Sequence, residues 1–312
     1  MVSFLPVACF WEGVMRVFVT GGTGFVGREI LKQLTETGHT AICLVRPGSE
    51  QKVAILKGVE IQRGDATKPE TLEGALRGCD AVIHLVGIIR EFPSKAITFR
   101  RLHFEATRIM VEAAKAQGVK RYLQMSANGT RENAHIPYYQ TKWQAEEAVR
   151  NSGLAWTIFR PSIIFGPKGE FINLLADMIH KYPVVPVIGN GRSRISLVAV
   201  EEVAKSFVLA LDKEDAIEQI YHCCGPDELT FNDILDLLGQ ALKKKRVRKI
   251  HYPAWLMRHI VSLMESIPAF PITATQMTML LEGNVCDGKP WAQAFGIKPQ
   301  SFSEGIAKYS KI

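Results

Sequence analysis

Beyond its first fourteen positions the chain has no uninterrupted apolar run of eighteen residues, so it offers no segment of bilayer-spanning length. It also lacks CxxC spacing. Its six cysteines, Cys9, Cys43, Cys79, Cys223, Cys224 and Cys286, are scattered, most of them in apolar runs. They are expected to be buried thiols of a reducing compartment, with no disulfide and no metal site. No internal repeat and no low-complexity tract is present. The opening residues MVSFLPVACFWEGV are apolar but carry no preceding basic residue, and Pro6 and Glu12 interrupt them. That makes a poor signal peptide. Residues 1–14 are expected to be an extension ahead of the fold, the alternative being a packed or membrane-touching arm. Neither charge sign dominates: 38 Lys and Arg face 31 Asp and Glu, a net +7 that favours anionic ligands only weakly. Hydrophobic residues make up 47% of the 312 residues and charged ones 22%, as in a soluble globular chain with one large domain or a domain and an appendage.

What is present is an alternation. Apolar strand-like runs at 16–20, 41–45, 59–65, 79–87, 121–126 and 155–160 are separated by helical patterns. The first helix lies in GFVGREILKQLTETG, with others at 69–78, 99–118 and 138–153. This rhythm predicts an α/β fold, a Rossmann-like doubly wound parallel sheet with helices on both faces. After Pro161 prolines and glycines cluster, and the pattern returns only as a helix over 198–211 and a strand over 219–224. The expected division is a dinucleotide-binding domain over 15–165, completed by about 196–224. A smaller, discontinuous C-terminal substrate lobe would comprise 166–195 and 225–312.

TGGTGFVG (20–27) follows the first strand and opens the first helix, placing Gly21, Gly24 and Gly27 in G-x-x-G-x-x-G spacing. Glycine is needed there for a tight turn, for close approach to a pyrophosphate and for helix–strand packing. The helix N-terminus supplies free N–H groups and partial positive charge. The second strand ends in LVRPGSE, with Arg46 where an NAD site usually has an acid. An arginine there pairs with a 2′-phosphate, so NADP(H) is the preferred cofactor, with NAD(H) possible. Asp65 in GDAT is a candidate acceptor for the adenine amino group or a helix cap.

IPYYQTKWQAE (136–146) places Tyr138 and Lys142 four residues apart, on one side of a helix. Ser126 closes the preceding strand, at the sheet edge where such folds bind ligands. A tyrosine of ordinary pKa is a poor base at neutral pH. The Lys142 ammonium and an oxidised nicotinamide are expected to lower it. The serine would hold the substrate oxygen, the tyrosine would exchange a proton and the lysine would also bond the ribose.

With TGGTGFVG, MSANG, Tyr138-x-x-x-Lys142 and FRPSIIFGP (159–167), the chain resembles the extended short-chain dehydrogenases/reductases from about Met15 to Leu211. VAVEEVAKSF resembles the corresponding helix start of nucleotide-sugar epimerases. RRLHFEATRIMVEAAKAQGVKRYLQMSANG and LAWTIFRPS resemble an atypical subgroup, that of the NADPH-binding accessory subunit of respiratory complex I and its bacterial relatives. The resemblance implies a dinucleotide held by Gly21, Thr23, Gly24, Phe25, Val26 and Gly27, by Arg46, Asp65 and Ala66, and by Leu85, Val86 and Gly87. Tyr138, Lys142 and the stretch from Pro161 through Ile163 to Ile164 complete the set. It implies hydride transfer to or from a carbonyl or carbinol carbon, or epimerase-type chemistry. The alternative it carries is a non-catalytic, NADPH-binding subunit of a membrane-associated assembly. The chain departs from the family pattern at His103, where asparagine is usual, and at Ala127–Asn128, where a second hydroxyl residue is usual. Ala127, Asn128, Arg192 and Arg194 are candidate substrate contacts.

KKKRVRK (243–249) carries six cations in seven residues. It reads as a solvated helix end or as a peripheral contact with a membrane or an acidic partner. No aromatic-interleaved module accompanies it, so nucleic acid is not an expected partner. WLMRHIVSLMESI (255–267) and methionines 257, 264, 277 and 279 suggest a plastic apolar lobe over a small-molecule substrate that is apolar or bulky. The expected location is cytoplasmic, at most peripheral to a membrane, with the oligomeric state left open.

Overall fold

The computed structural model describes residues 13–265, 267 and 270–308. The expected extension over 1–14 thus lies outside the described residues except for its last two positions. The sheet is built from β1 (Arg16–Thr20), β2 (Thr40–Val45), β3 (Val59–Arg63), β4 (Ala81–His84), β5 (Arg121–Met125) and β6 (Ala155–Pro161). Short strands β7 (Ile164–Phe165), β8 (Val185–Ile188), β9 (Arg194–Ile195) and β10 (Val198–Ala199) follow; β11 (Gln219–Cys223), β12 (Leu229–Thr230) and β13 (Lys249–Tyr252) come after them. The main sheet has seven strands in the order β11-β6-β5-β4-β1-β2-β3. Every pairing in it is parallel.

Both faces are covered, so the inner strands are apolar nearly throughout. Val17 and Val19 point to one face, with Ile30, Leu31 and Leu34 of α1 (Phe25–Glu36) and Phe207 of α5 (Val200–Ala210). Phe18, Val82 and Tyr122 point to the other, against Met110 and Val111 of α2 (Ala106–Ala116) and Val149 of α3 (Pro137–Arg150). A third cluster joins Ile172, Leu175 and Ile179 of α4 (Glu170–Lys181) to Ile234, Leu235 and Leu238 of α6 (Phe231–Ala241). Helices α7 (Ala254–Met264), α8 (Ala274–Glu282), α9 (Lys289–Ala294) and α10 (Phe302–Lys308) complete the described chain. The strand pairs β10–β7, β12–β9 and β13–β8 stand apart from the main sheet.

Three local expectations are corrected. PETLEGALRG is not a helix but a 3-10 turn over Pro69–Thr71 followed by turns. Gly74 and Gly78 there adopt φ of +71° and +69°, outside the helical region. The helix expected over 99–118 begins as a π-helical stretch at Arg100–Glu105 before α2. Cys224 and Cys286 pair as a disulfide, with Cα atoms 6.0 Å apart. The chain after α8 returns along the end of β11, a proximity that a separation of 62 residues does not reveal. Cys43, Cys79 and Cys223 are buried and free.

Candidate functional site

Strand order reverses between β1 and β4, which opens a crevice at the carboxyl ends of those strands. The glycine turn sits there. Gly21 has φ of +74°, and a Cβ on it would meet the Leu85 backbone at 3.0 Å. Gly27 lies inside α1 and packs on Gly21 and Gly22, whereas Gly24 faces the crevice. The N-terminus of α1 has no side-chain cap and no acid in its first turn, leaving its positive end open to an anion.

A cavity of about 340 Å³ runs from this turn, lined by Gly21, Thr23, Gly24, Arg46, Asp65, Ala66, Leu85, Val86 and Gly87. These sequence-derived candidates come together. Phe25, Val26 and Gly27 back them in α1, and the Phe25 ring lies against Gly166. Asp65 Oδ1 accepts from the backbone and hydroxyl of Thr67, both at 2.9 Å, so it shapes the turn after β3 and does not cap a helix. The same cavity is lined by Ser49, Lys95 and Arg101, which sequence reasoning missed. Arg101 donates to Thr67 Oγ1 and to the Ala96 carbonyl oxygen, both at 3.3 Å, and so bridges two walls of the cavity. Pro161, Ile163 and Ile164 do not line this cavity. Pro161 O accepts from Asn128 N at 2.8 Å and Ile163 O from Val198 N at 3.1 Å.

At the other end of the crevice Lys142 is buried, 3% exposed, and its Nζ donates to Met125 O at 3.2 Å. A methyl on Gly87 would come within 3.0 Å of that Nζ. Burial brings the Lys142 ammonium down to about 8. Beneath it Thr20, His84 and Gln124 stand in register across β1, β4 and β5. Thr20 Oγ1 and His84 Nδ1 are 2.7 Å apart, while His84 Nε2 and Gln124 Oε1 have no partner among the described residues. Buried polar atoms of this kind are where ordered water is found. Burial, reinforced by the Lys142 charge, takes His84 to about 3.

His103 is buried and pins the segment after β4 to α3. Its Nδ1 is 2.9 Å from Thr141 Oγ1, and its Nε2 is 3.2 Å from Ile88 N and 3.1 Å from Ile88 O. Burial and the nearby Lys142 charge hold it neutral, at about 2. Tyr138 is boxed by the rings of Phe99, His103 and Tyr139, at 5.6, 5.1 and 5.4 Å. Burial pushes its phenol up, whereas the sequence led us to expect a lowered one. The Lys142 ammonium is drawn to Met125 O, so desolvation governs the phenol. Ser126 Oγ lies 3.3 Å from Thr130 Oγ1. Thr130 thus supplies the second hydroxyl that Ala127 and Asn128 do not.

The candidate substrate residues divide. Ala127 joins Ala134, Ile136 and Tyr139 in an apolar cluster against which Tyr138 and Met279 pack. Asn128 is committed elsewhere: its amide donates to Asn284 Oδ1 at 2.8 Å and Val285 O at 3.1 Å, and its Oδ1 meets His222 Nδ1 at 2.8 Å. Arg194 pairs with Glu228 at 3.3 Å on the surface. Arg192 lines a separate open cavity with Asn190, Asn232, His251 and Tyr252.

A crevice at the strand-order reversal, with a glycine turn at one end and a buried lysine at the other, defines a dinucleotide-binding α/β protein. Residues 17–224 match the NAD dependent epimerase/dehydratase family, and the chain belongs to that family. It is similar to NADH dehydrogenase [ubiquinone] 1 alpha subcomplex subunit 9, mitochondrial, of Arabidopsis thaliana, with 28% identity over 83% of this chain and 66% of that protein. It is also similar to ceramide reductase of Caulobacter vibrioides, with 31% identity over 62% of this chain and 59% of that protein. The chain therefore spans less than two thirds of the length of these relatives. Its fold matches that of DesIV, a dTDP-glucose 4,6-dehydratase from Streptomyces venezuelae solved with NAD and TYD bound. The TM-score is 0.73 at 21% identity, covering 95% of this chain and 96% of that one.

Proposed function

We propose that the chain is an NADP(H)-dependent oxidoreductase that moves hydride between the nicotinamide and a carbonyl or carbinol carbon of an apolar substrate. The observation that carries this reading is Lys142. A nearly buried ammonium with one protein acceptor among the described residues, beside Gly87 and one helical turn from Tyr138, is matched to ribose hydroxyls. The cofactor would supply the hydride. Lys142 would bond its ribose, Ser126 and Thr130 would hold the substrate oxygen, and Tyr138 would donate or accept the proton at that oxygen. Preference for NADP(H) is supported by charge: Arg46, Lys95 and Arg101 line the cavity against the single acid Asp65. Among the described residues Arg101 bonds only neutral acceptors. An extra 2′-phosphate suits that excess. The apolar cluster beside Tyr138, closed by Met279, suits an apolar substrate, and one relative is a ceramide reductase.

A second reading, a non-catalytic NADPH-binding subunit, is favoured by the raised Tyr138 phenol and by the bonding of Ser126 to Thr130 rather than to the tyrosine. The likeness to a subunit of NADH dehydrogenase agrees with it. One paired experiment separates the two: thermal shift with NADPH and with NADH, and hydride exchange against ketones, long-chain keto compounds and sugar nucleotides. The proposal expects a larger shift with NADPH. It also expects turnover that falls on the order of 10²–10⁴-fold in Tyr138→Phe, with NADPH binding retained. NADPH stabilisation without turnover of any substrate would favour the second reading. Turnover indifferent to Tyr138→Phe would refute the role given to the phenol.

A further inference from the structure

The formal charge of the chain is concentrated in one place. Seven of its 38 basic residues, Lys243, Lys244, Lys245, Arg246, Arg248, Lys249 and Arg258, lie between positions 243 and 264, and none of its 31 acidic residues does. The whole excess of +7 therefore belongs to this segment, and the rest of the chain is neutral. Lys249 is held by Asp236 at 2.6 Å. Among the described residues no ion pair engages the other six, all of which are exposed.

The same segment exposes apolar side chains. Ile250 on β13 is 48% exposed, Trp255 and Leu263 on α7 are 67% and 81% exposed, and Ile267 just beyond is 47% exposed. At 100° per residue, Arg258, Ser262, Trp255, His259 and Leu263 fall on one arc of α7, and all five are exposed. Val261, on the opposite side, is fully buried. Val247, packed at Gly239 of α6, fixes the basic run to the body of the protein. Trp255 follows Arg248 by seven positions, so that cation and the aromatic lie within about 25 Å of each other.

Large exposed apolar side chains tolerate water poorly, and six cations without an ion pair, in a stretch that carries no acid of its own, call for an anionic surface. A bilayer interface satisfies both, taking Trp and Leu into the headgroup boundary while the cations meet lipid phosphates. No described helix is long and apolar enough to cross a membrane; the segment has the character of one that lies on it. We infer that β13, the outer face of α7 and the basic run before them form a docking surface for an anionic lipid bilayer. The inference goes beyond the proposed oxidoreductase activity and does not depend on it.

Flotation of the full chain with phosphatidylglycerol–phosphatidylcholine vesicles, and with phosphatidylcholine alone, tests this. Binding is expected to the anionic vesicles only and to weaken with salt. Changing Lys243, Lys244, Lys245 and Arg246 together to Gln should lower partitioning at least ~100-fold, given the attraction of each cation to an anionic leaflet. Leu263→Ser with Trp255→Ala should lower it independently. Brominated lipid should quench the wild-type protein more than Trp255→Phe. Unchanged melting temperature and NADPH affinity would show that the variants are folded. Absence of binding to anionic vesicles would overturn the inference, as would binding indifferent to both sets of changes. Retention on heparin without flotation would assign the surface to an acidic macromolecule and would also overturn it.

Discussion

Lys142 has lost almost all contact with solvent, yet among the described residues the one oxygen its ammonium bonds is that of Met125. Desolvation of a cation favours its neutral form, and here it lowers the group from an ordinary 10.5 to about 8. The sign of the consequence differs for binding and for folding. Ribose hydroxyls are held by the charged form, which prevails below pH 8. NADPH affinity is therefore expected to fall roughly 10–100-fold as pH rises through that value, the worth of a hydrogen bond to a charged group. In the cofactor-free protein the unfolded chain keeps this proton up to about pH 10.5 while the folded chain releases it near 8. The contribution of Lys142 to stability thus increases with pH across that window. Fluorescence titration of NADPH on either side of pH 8, in wild type and Lys142→Met, checks the binding half. The variant should bind weakly with no inflection there. His84 and His103 bracket the same ammonium and stay neutral, so they add no competing charge at these pH values.

At the scale of an element, the turn between β1 and α1 separates two kinds of glycine. A Cβ on Gly24 would touch only Gly21 O, at 3.2 Å, and would project into the cavity. One on Gly27 would press into the Gly21 carbonyl and into Gly22 Cα at 2.6 Å. Gly24→Val is expected to fold and to lose cofactor binding, because its branches occupy the pyrophosphate's space. Gly27→Ala is expected to lose about 1–3 kcal/mol of stability by overpacking, and affinity only secondarily. Urea denaturation and NADPH titration of both variants distinguish them; a Gly24→Val that binds NADPH normally would sink the site assignment. The sequence showed that these glycines matter but not which does what, since the difference lies in what each Cβ would meet. The π-helical start at Arg100–Glu105 was likewise hidden; it places Phe99 and His103, stacked on each other, edge-on to Tyr138 of α3, a contact between distant segments.

For the whole molecule, the connection of greatest consequence is made by Arg90. It lies in the segment after β4, close to the cofactor cavity, and donates to Glu265 O, Ile267 O and Phe270 O at 2.8, 2.9 and 2.6 Å. Those carbonyls follow α7, so one guanidinium ties the cofactor side of the crevice to the C-terminal helices and complements a helix C-terminus. Hydrogen exchange should show the stretch after α7 better protected with NADPH than without. Arg90→Ala should open that stretch at least about tenfold more often, since one such bond is worth about 1.5–3 kcal/mol, and should leave NADPH affinity nearly unchanged. Equal protection in both proteins would refute the tie. The sequence by itself determined the alternation of strands and helices, the glycine turn and the Tyr138–Lys142 spacing. Each of these is written in residues at most a few positions apart, where periodicity of two or near four fixes which side chains share a face. Only the tertiary structure decided that Arg101 and Lys95 face Arg46 across one cavity, and that Thr130 pairs with Ser126 while Asn128 turns to His222 and Asn284. It also decided that Cys286 returns to Cys224. Those neighbours come from sheet order and from packing between distant segments, and no local spacing encodes them.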